Sequence, residues 1–96
     1  MTLVKQATDE ELQRLYRAFA NIDDPAWIEA LIQDLCTISE LNEMSQRLTV
    51  AFMLNDGESY AAIQEKTGAS ASTIARVSKC LNHGSGAYHH VIENEG

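Results

Sequence analysis

Apolar side chains recur along most of the chain at intervals of three and four residues. This spacing places them on one face of an α-helix, and no stretch shows the alternation of apolar and polar residues that is typical of a half-buried strand. The pattern therefore predicts an all-α fold of about six helices. The apolar positions of these helices are, in order, Leu12, Leu15, Tyr16 and Phe19; Trp27, Ile28, Leu31, Ile32 and Leu35; Leu41, Met44, Leu48, Ala51 and Phe52; Ile63; Ile74, Val77 and Leu81; and Tyr88, Val91 and Ile92.

Polar residues mark where the first three helices begin. Thr8 has a glutamate three residues later, which is the spacing of a capping box, and we expect it to begin the first helix. Asp24 is followed by Pro25, which fits the first helical position because no N–H group is needed there. We expect Thr37 or Ser39 to begin a third helix that runs to about residue 55.

The segment from residue 57 to residue 82 has the layout of a helix-turn-helix motif. Ser59 is placed to cap a short helix over residues 60–66, and Ser70 is placed to cap a second helix that ends at about residue 82. Gly68 supplies the turn between them, because glycine adopts the left-handed backbone conformation at the lowest cost.

The spacing of apolar residues within this segment supports the motif. When Gly68 is counted as the ninth residue, the fourth, fifteenth and eighteenth positions must be apolar for the two helices to cross and pack. These positions are Ile63, Ile74 and Val77. An αα-hairpin that never touches DNA is the alternative interpretation. The run GASASTIAR over residues 68–76 favours the DNA-binding interpretation.

The unpacked face of the second helix carries small polar residues followed by cations. Small side chains let a helix backbone approach the major groove, and arginine or lysine reaches phosphates and guanine edges. A cation in the preceding helix is placed to contact the phosphate backbone. We therefore predict that double-stranded DNA is contacted by Lys66, Ser70, Ala71, Ser72, Thr73, Arg76 and Lys79.

Charge complicates this prediction. The formal net charge of −7 repels phosphate at long range. The cations are nevertheless local to the motif, because Glu65 is the only acid between Ser59 and Ile92, a segment that holds three lysines and arginines. We expect modest non-specific affinity for DNA, with the acidic bulk facing away. The charge also favours an alternative function, a helical protein-interaction module that does not bind DNA.

Length and composition set further bounds. Ninety-six residues are typical of a single domain over residues 1–96, and two cysteines form no disulfide framework. No apolar run approaches the length of a membrane span, and the N-terminus lacks the core of a signal peptide. We therefore expect a cytoplasmic protein with no membrane partner.

Two runs of residues carry a resemblance to a known family. ELNEMSQRL over residues 40–48 and TGASASTIARVSKCL over residues 67–81 resemble the Trp repressor family, and most closely its YerC/YecD-type branch. The likeness covers about residues 8–92. It implies an interlocked homodimer with a dimerisation region over residues 8–56, a helix-turn-helix over 59–82, and a short last helix and tail over 83–96.

The same resemblance implies a function. Members of the family are transcriptional regulators, so this chain is expected to be a repressor that reads a near-palindromic operator. Because each homodimer presents two recognition helices, the half-sites are expected to lie about one helical turn apart. The broad apolar face of the second helix fits a helix that lies between partners.

The resemblance also implies a place for a small effector. In the Trp repressor two arginines bracket the bound amino acid, with a threonine nearby, and Thr37, Arg47 and Arg76 match them. The next residue is a glycine in the ligand-binding member, but here it is Val77, whose branched side chain fills the space for the indole. We therefore assign no cofactor and do not expect tryptophan, while another corepressor stays open.

Simpler interpretations of both arginines stay open beside the effector role. Arg47 lies four residues after Glu43, which is the spacing of an ion pair on a helix surface. Arg76 can serve as a plain phosphate contact with no ligand role.

Metal and catalytic chemistry find little support in the sequence. Cys80 and His83 could share a metal ion, but His89 and His90 are adjacent and point about 100° apart on a helix. We read these histidines as solvent-facing and assign no metal, although a metal-sensing regulator is a further alternative. No nucleophile elbow, P-loop or dinucleotide fingerprint occurs, so we do not expect an enzyme.

Overall fold

The computed structural model of the chain describes residues 5–95. Within that range the backbone forms six α-helices and no strand, which confirms the predicted all-α fold. The residue ranges are Asp9–Ala20 for α1, Pro25–Leu35 for α2, Ile38–Asn55 for α3, Tyr60–Thr67 for α4, Ala71–His83 for α5 and Ala87–Glu93 for α6. Gly96, the end of the predicted tail, lies outside the described residues.

Side-chain caps hold the first two helices at the predicted residues. The Thr8 backbone N–H donates to Glu11 Oε1 at 2.9 Å, and the Glu11 N–H donates back to Thr8 Oγ1 at 3.1 Å. This is the complete capping box. Asp24 Oδ1 accepts the Ala26 N–H at 2.9 Å, and Pro25 occupies the first helical position of α2.

Two helix ends of the motif differ slightly from the prediction. Helix α4 continues to Thr67, one residue further than expected, because the Thr67 hydroxyl donates to the Ile63 carbonyl at 2.7 Å within the last turn. Helix α5 continues to His83, where the Gly84 N–H donates to the Cys80 carbonyl at 2.8 Å. Residues 84–86 separate it from α6.

The chain divides into two compact units, which are described separately. The first ends at Thr37 and contains α1 and α2, and the second begins at Ile38 and contains α3 to α6. The core belongs to the second unit. It is formed by Val50, Ala51, Ile63, Ala69, Ile74 and Val77, with Met53, Leu54 and Tyr88 packed against it.

The first unit buries no residue of either helix. Trp27 is 68% exposed and Tyr16 is 54% exposed, although both lie on the apolar stripes that the sequence predicts. Amphipathic helices gain most of their stability by burying such stripes. These two helices therefore leave apolar surface uncovered within the first unit.

Among the residues that the structure describes, no helix is both long enough and apolar enough to cross a membrane.

Candidate nucleic-acid interface

Helices α4 and α5 pack through the three residues whose spacing predicted the motif. Ile63 and Ile74 are fully buried and Val77 is 1% exposed. Val50 of α3 joins the same core, so α3 forms the base on which α4 and α5 rest. This packing leaves the opposite side of α5 exposed.

The turn between α4 and α5 is fixed by one glycine and two hydrogen bonds. Gly68 adopts a φ of 74°, the left-handed conformation that glycine tolerates best. The Ala69 N–H donates to Thr67 Oγ1 at 3.1 Å, and Gln46 Nε2 donates to the Thr67 carbonyl at 3.1 Å. Gln46 therefore joins the long helix α3 to the turn.

No pattern in the sequence singles out Gln46. It lies 21 residues from Thr67, and its partner is a backbone carbonyl at a helix end. Such carbonyls lack an intrahelical partner and need one from elsewhere. The amide of Gln46 meets that need, and this contact could be found only from the folded chain.

A chain of hydroxyl groups stands at the start of α5. Ser70 Oγ accepts the Thr73 N–H at 3.1 Å and donates to Thr73 Oγ1 at 3.0 Å. Ser72 Oγ lies 3.1 Å from Ser70 Oγ. Because the single hydroxyl proton of Ser70 goes to Thr73, Ser72 is the donor in that pair. Ser70, Ala71 and Ser72 are exposed, so this end of α5 presents small polar groups to solvent.

Two cations follow on the same helix. Arg76 and Lys79 are exposed and lie three residues apart, which places them next to each other on the helix surface. Neither forms an ion pair within residues 5–95. Their charges are therefore available to an anionic ligand.

Lys66 differs from those two cations. Its Nζ group donates to Oε1 of Glu58, the residue just before the N-cap of α4. The predicted phosphate contact is thus already engaged with a carboxylate. Sequence spacing did not indicate this pair, because Glu58 lies outside the helix and the usual spacing rule for helical pairs does not apply to it.

The residues predicted to surround an effector lie on two helices and in the connection before one of them. Thr37 lies directly before α3, Arg47 lies on α3 and Arg76 lies on α5. Arg47 Nη2 is 3.9 Å from Glu43 Oε2, so the simpler pairing is present in the free chain. Val77 is buried in the core of the second unit.

The predicted metal chemistry concerns a cysteine and three histidines near the end of the chain. Within the described residues no three of the histidine, cysteine, aspartate and glutamate side chains are grouped so that they could hold an ion. Cys80, His83, His89 and His90 are all exposed.

Comparison with known proteins settles the family. Residues 10–96 match the family model of the Trp repressor protein. The chain belongs to the Trp repressor family.

Relatives within the Trp repressor family confirm the resemblance at high coverage. The chain is 40% identical over 84 residues to the uncharacterized protein YerC of Bacillus subtilis (strain 168), which covers 88% of this chain and 81% of YerC. This confirms the predicted likeness to the YerC-type branch. The Trp repressor family is a family of regulators rather than of enzymes.

Solved structures of Trp repressor-like proteins share the fold. A TrpR-like protein from Eubacterium eligens ATCC 27750 superimposes with a TM-score of 0.84 at 39% identity, covering 88% of this chain and 87% of that one. A candidate Trp repressor from Staphylococcus aureus also gives 0.84, at 35% identity, covering 90% and 86%.

Proposed function

We propose that this chain is a DNA-binding transcriptional regulator, acting as a repressor, that reads a palindromic operator as a homodimer. The single observation that carries the proposal is the arrangement of α5. One face of α5 is buried in the core through Ile74 and Val77. The opposite face presents small polar groups and two cations to solvent. Membership of the Trp repressor family supports the same function.

The proposal assigns separate roles along α4 and α5. Ser70, Ala71 and Ser72 are exposed at the start of α5 and Thr73 is half-buried beside them. Their small side chains allow the helix to enter the major groove. Arg76 and Lys79 contact phosphates or guanine edges. Lys66, in the last turn of α4, contacts the phosphate backbone.

The homodimer is proposed from the surface of the first unit. Its helices bury no residue, and Trp27 and Tyr16 are largely exposed. Apolar patches of this kind mark interaction surfaces. We assign dimerisation to residues 8–56, DNA reading to residues 59–82, and the cytoplasm as the place where the regulator works.

Selection of binding sites from random duplex DNA, at roughly physiological salt, tests the proposal. A variant outside both assigned regions gives the control. Arg76→Ala/Lys79→Ala removes the exposed cations of α5, and Lys5→Ala removes an exposed cation that precedes α1. We expect the wild type and Lys5→Ala to enrich a palindrome with half-sites about 10 base pairs apart. The α5 variant is expected to enrich nothing.

A helical protein-interaction module is the second candidate, favoured by the net charge of −7. It differs from the first in its response to salt, because release of counterions follows only from contacts to phosphate. Failure to enrich any sequence has two readings, a regulator that needs an absent effector or an interaction module. The additional absence of any salt-dependent binding to duplex DNA would favour the interaction module.

A small effector is proposed to bind near Thr37, Arg47 and Arg76. Tryptophan is not expected to be that effector, because Val77 fills the position where the ligand-binding member has a glycine. Thermal melting with a panel of metabolites tests both statements, since a ligand specific for the folded state must raise the melting temperature. We expect no rise with tryptophan, and a rise with tryptophan would show that Val77 leaves room for the indole.

A further inference from the structure

One cation of the proposed DNA-binding surface is paired within the protein. Lys66 Nζ donates to Glu58 Oε1, and the contact spans α4 from the residue before its N-cap to its last turn. The Glu58 N–H in turn donates to the Met53 carbonyl at 3.1 Å. The backbone of Glu58 is therefore held beside the end of α3.

The two partners differ in their exposure. The Glu58 side chain is 26% exposed, whereas that of Lys66 is 61% exposed. A partly covered carboxylate is screened less by water and salt than one on the open surface. The lysine, which remains accessible from outside, is the member of the pair that a phosphate can approach.

We propose that Glu58 is an internal competitor for Lys66, and that a DNA phosphate must displace or share it before this lysine can contribute to binding. The inference rests on the proposed function, because it assigns Lys66 to the phosphate backbone. Glu58 would then set the affinity and the salt dependence of DNA binding without touching DNA. Apart from the general repulsion of phosphate that any acidic residue exerts, its carboxylate acts through Lys66.

The chain offers a matched control for this residue. Glu65 lies on α4 next to Lys66 in sequence, and it is exposed. It forms no ion pair among the residues that the structure describes. Glu58→Gln and Glu65→Gln remove the same charge, so both relieve long-range repulsion of DNA, but only Glu58→Gln releases the lysine.

The test measures binding of purified protein to a fluorescent duplex of mixed sequence, titrated between roughly 50 and 200 mM salt. A mixed sequence is sufficient because contacts to phosphate do not depend on the bases. We expect Glu58→Gln to bind about two- to fivefold more tightly than Glu65→Gln, the range that an ion pair near the surface supplies. We also expect its salt dependence to be steeper by up to about one unit of slope.

The Lys66→Gln background completes the design. There, Glu58→Gln and Glu65→Gln are expected to change affinity equally, because the lysine for which Glu58 competes is absent. Melting temperatures of all variants check that the motif is folded. Equal affinities of Glu58→Gln and Glu65→Gln in the presence of Lys66 would overturn this inference alone. Absence of DNA binding by every variant would overturn the proposed function with it.

Discussion

Arg76 could contact either a guanine edge or a phosphate, and a substitution that keeps its charge distinguishes the two. A guanidinium can bind a guanine edge through two parallel hydrogen bonds, whereas lysine approaches a phosphate as a point charge. Arg76→Lys keeps the charge and removes the paired geometry. If Arg76 reads a base, the substitution is expected to cost about 1–3 kcal/mol of binding to the selected operator and to relax specificity at one position.

The measurement is affinity for the selected operator and for single-base variants of it, at one salt concentration. Lys79→Arg is the control, because it exchanges the same two residue types on the same exposed face of α5. Unchanged affinity and unchanged base preference in Arg76→Lys would assign Arg76 to phosphate, which is the simpler interpretation of this residue.

Gly68 decides the geometry between two elements, α4 and α5. Its φ of 74° is costly for any residue with a Cβ, yet a Cβ built there meets nothing within 4 Å. The cost of Gly68→Ala therefore comes from the backbone conformation alone. We expect this substitution to lower the free energy of unfolding by about 1–2 kcal/mol. Urea denaturation measures it.

Asparagine provides the comparison at the same position. It adopts the left-handed conformation more readily than alanine does, so Gly68→Asn is expected to retain more stability than Gly68→Ala although its side chain is larger. The reverse order would show that space, and not backbone conformation, limits the turn.

The start of α1 is expected to depend on pH through Glu11. The hydrogen bond from the Thr8 backbone, and then that with its side chain, lower the pKa of Glu11 from its ordinary value of 4.5. A lowered pKa means that the folded state favours the charged carboxylate. Its contribution to stability is present above pH 4.5 and is lost as the pH falls through the lower value of the folded state.

Glu11→Gln isolates that contribution, because the amide can still accept the Thr8 N–H but carries no charge. Urea denaturation from about pH 6 down to about pH 2 compares it with the wild type. The wild type is expected to be the more stable at the upper end, and the difference is expected to vanish at the lower end. A difference that stays constant over this range would exclude the charge of Glu11 as its source.

Local signals explain why so much of the helical layout could be predicted. Each N-cap side chain accepts a hydrogen bond from a backbone N–H group only two or three residues further along the chain. The partners are therefore visible in the local sequence, as they are for Thr8, Asp24, Ser59 and Ser70. The motif packing was equally predictable, because its spacing requires apolar residues at fixed positions. Helix ends shifted by a single residue where side chains such as Thr67 satisfied the last turn.

The contacts that could not be predicted join distant parts of the sequence. Gln46 reaches a carbonyl of the turn, and Glu58 reaches Lys66 across a whole helix. Neither pair follows a helical period, so only the folded chain places the partners together. The roles of the DNA-contacting and effector-binding residues stay predictions. They are defined by contacts to DNA or to an effector, and contacts within the protein do not determine them.

At the scale of the whole molecule, the exposed apolar stripes of α1 and α2 are expected to be covered by a second copy of the chain. Trp27 is the only tryptophan and is 68% exposed. If dimerisation buries it, its fluorescence must shift to shorter wavelength as protein concentration rises. Sedimentation of the same samples must show the mass of a dimer over the same range of concentration.

Trp27→Ala then measures how much this residue contributes to the dimer. Removing a buried tryptophan side chain typically costs about 3–5 kcal/mol, and the loss occurs once in each protomer. We expect the dissociation constant from sedimentation to rise by at least about ten-thousandfold, since two losses of about 3 kcal/mol add to about 6 kcal/mol and each 1.4 kcal/mol is a factor of ten. Tyr60→Ala, which removes an exposed aromatic residue at the start of α4, is the control and is expected to leave dimerisation unchanged. A wild type that sediments as a monomer at every concentration, with constant Trp27 emission, would rule out the dimer, and with it the reading of a palindrome by paired recognition helices.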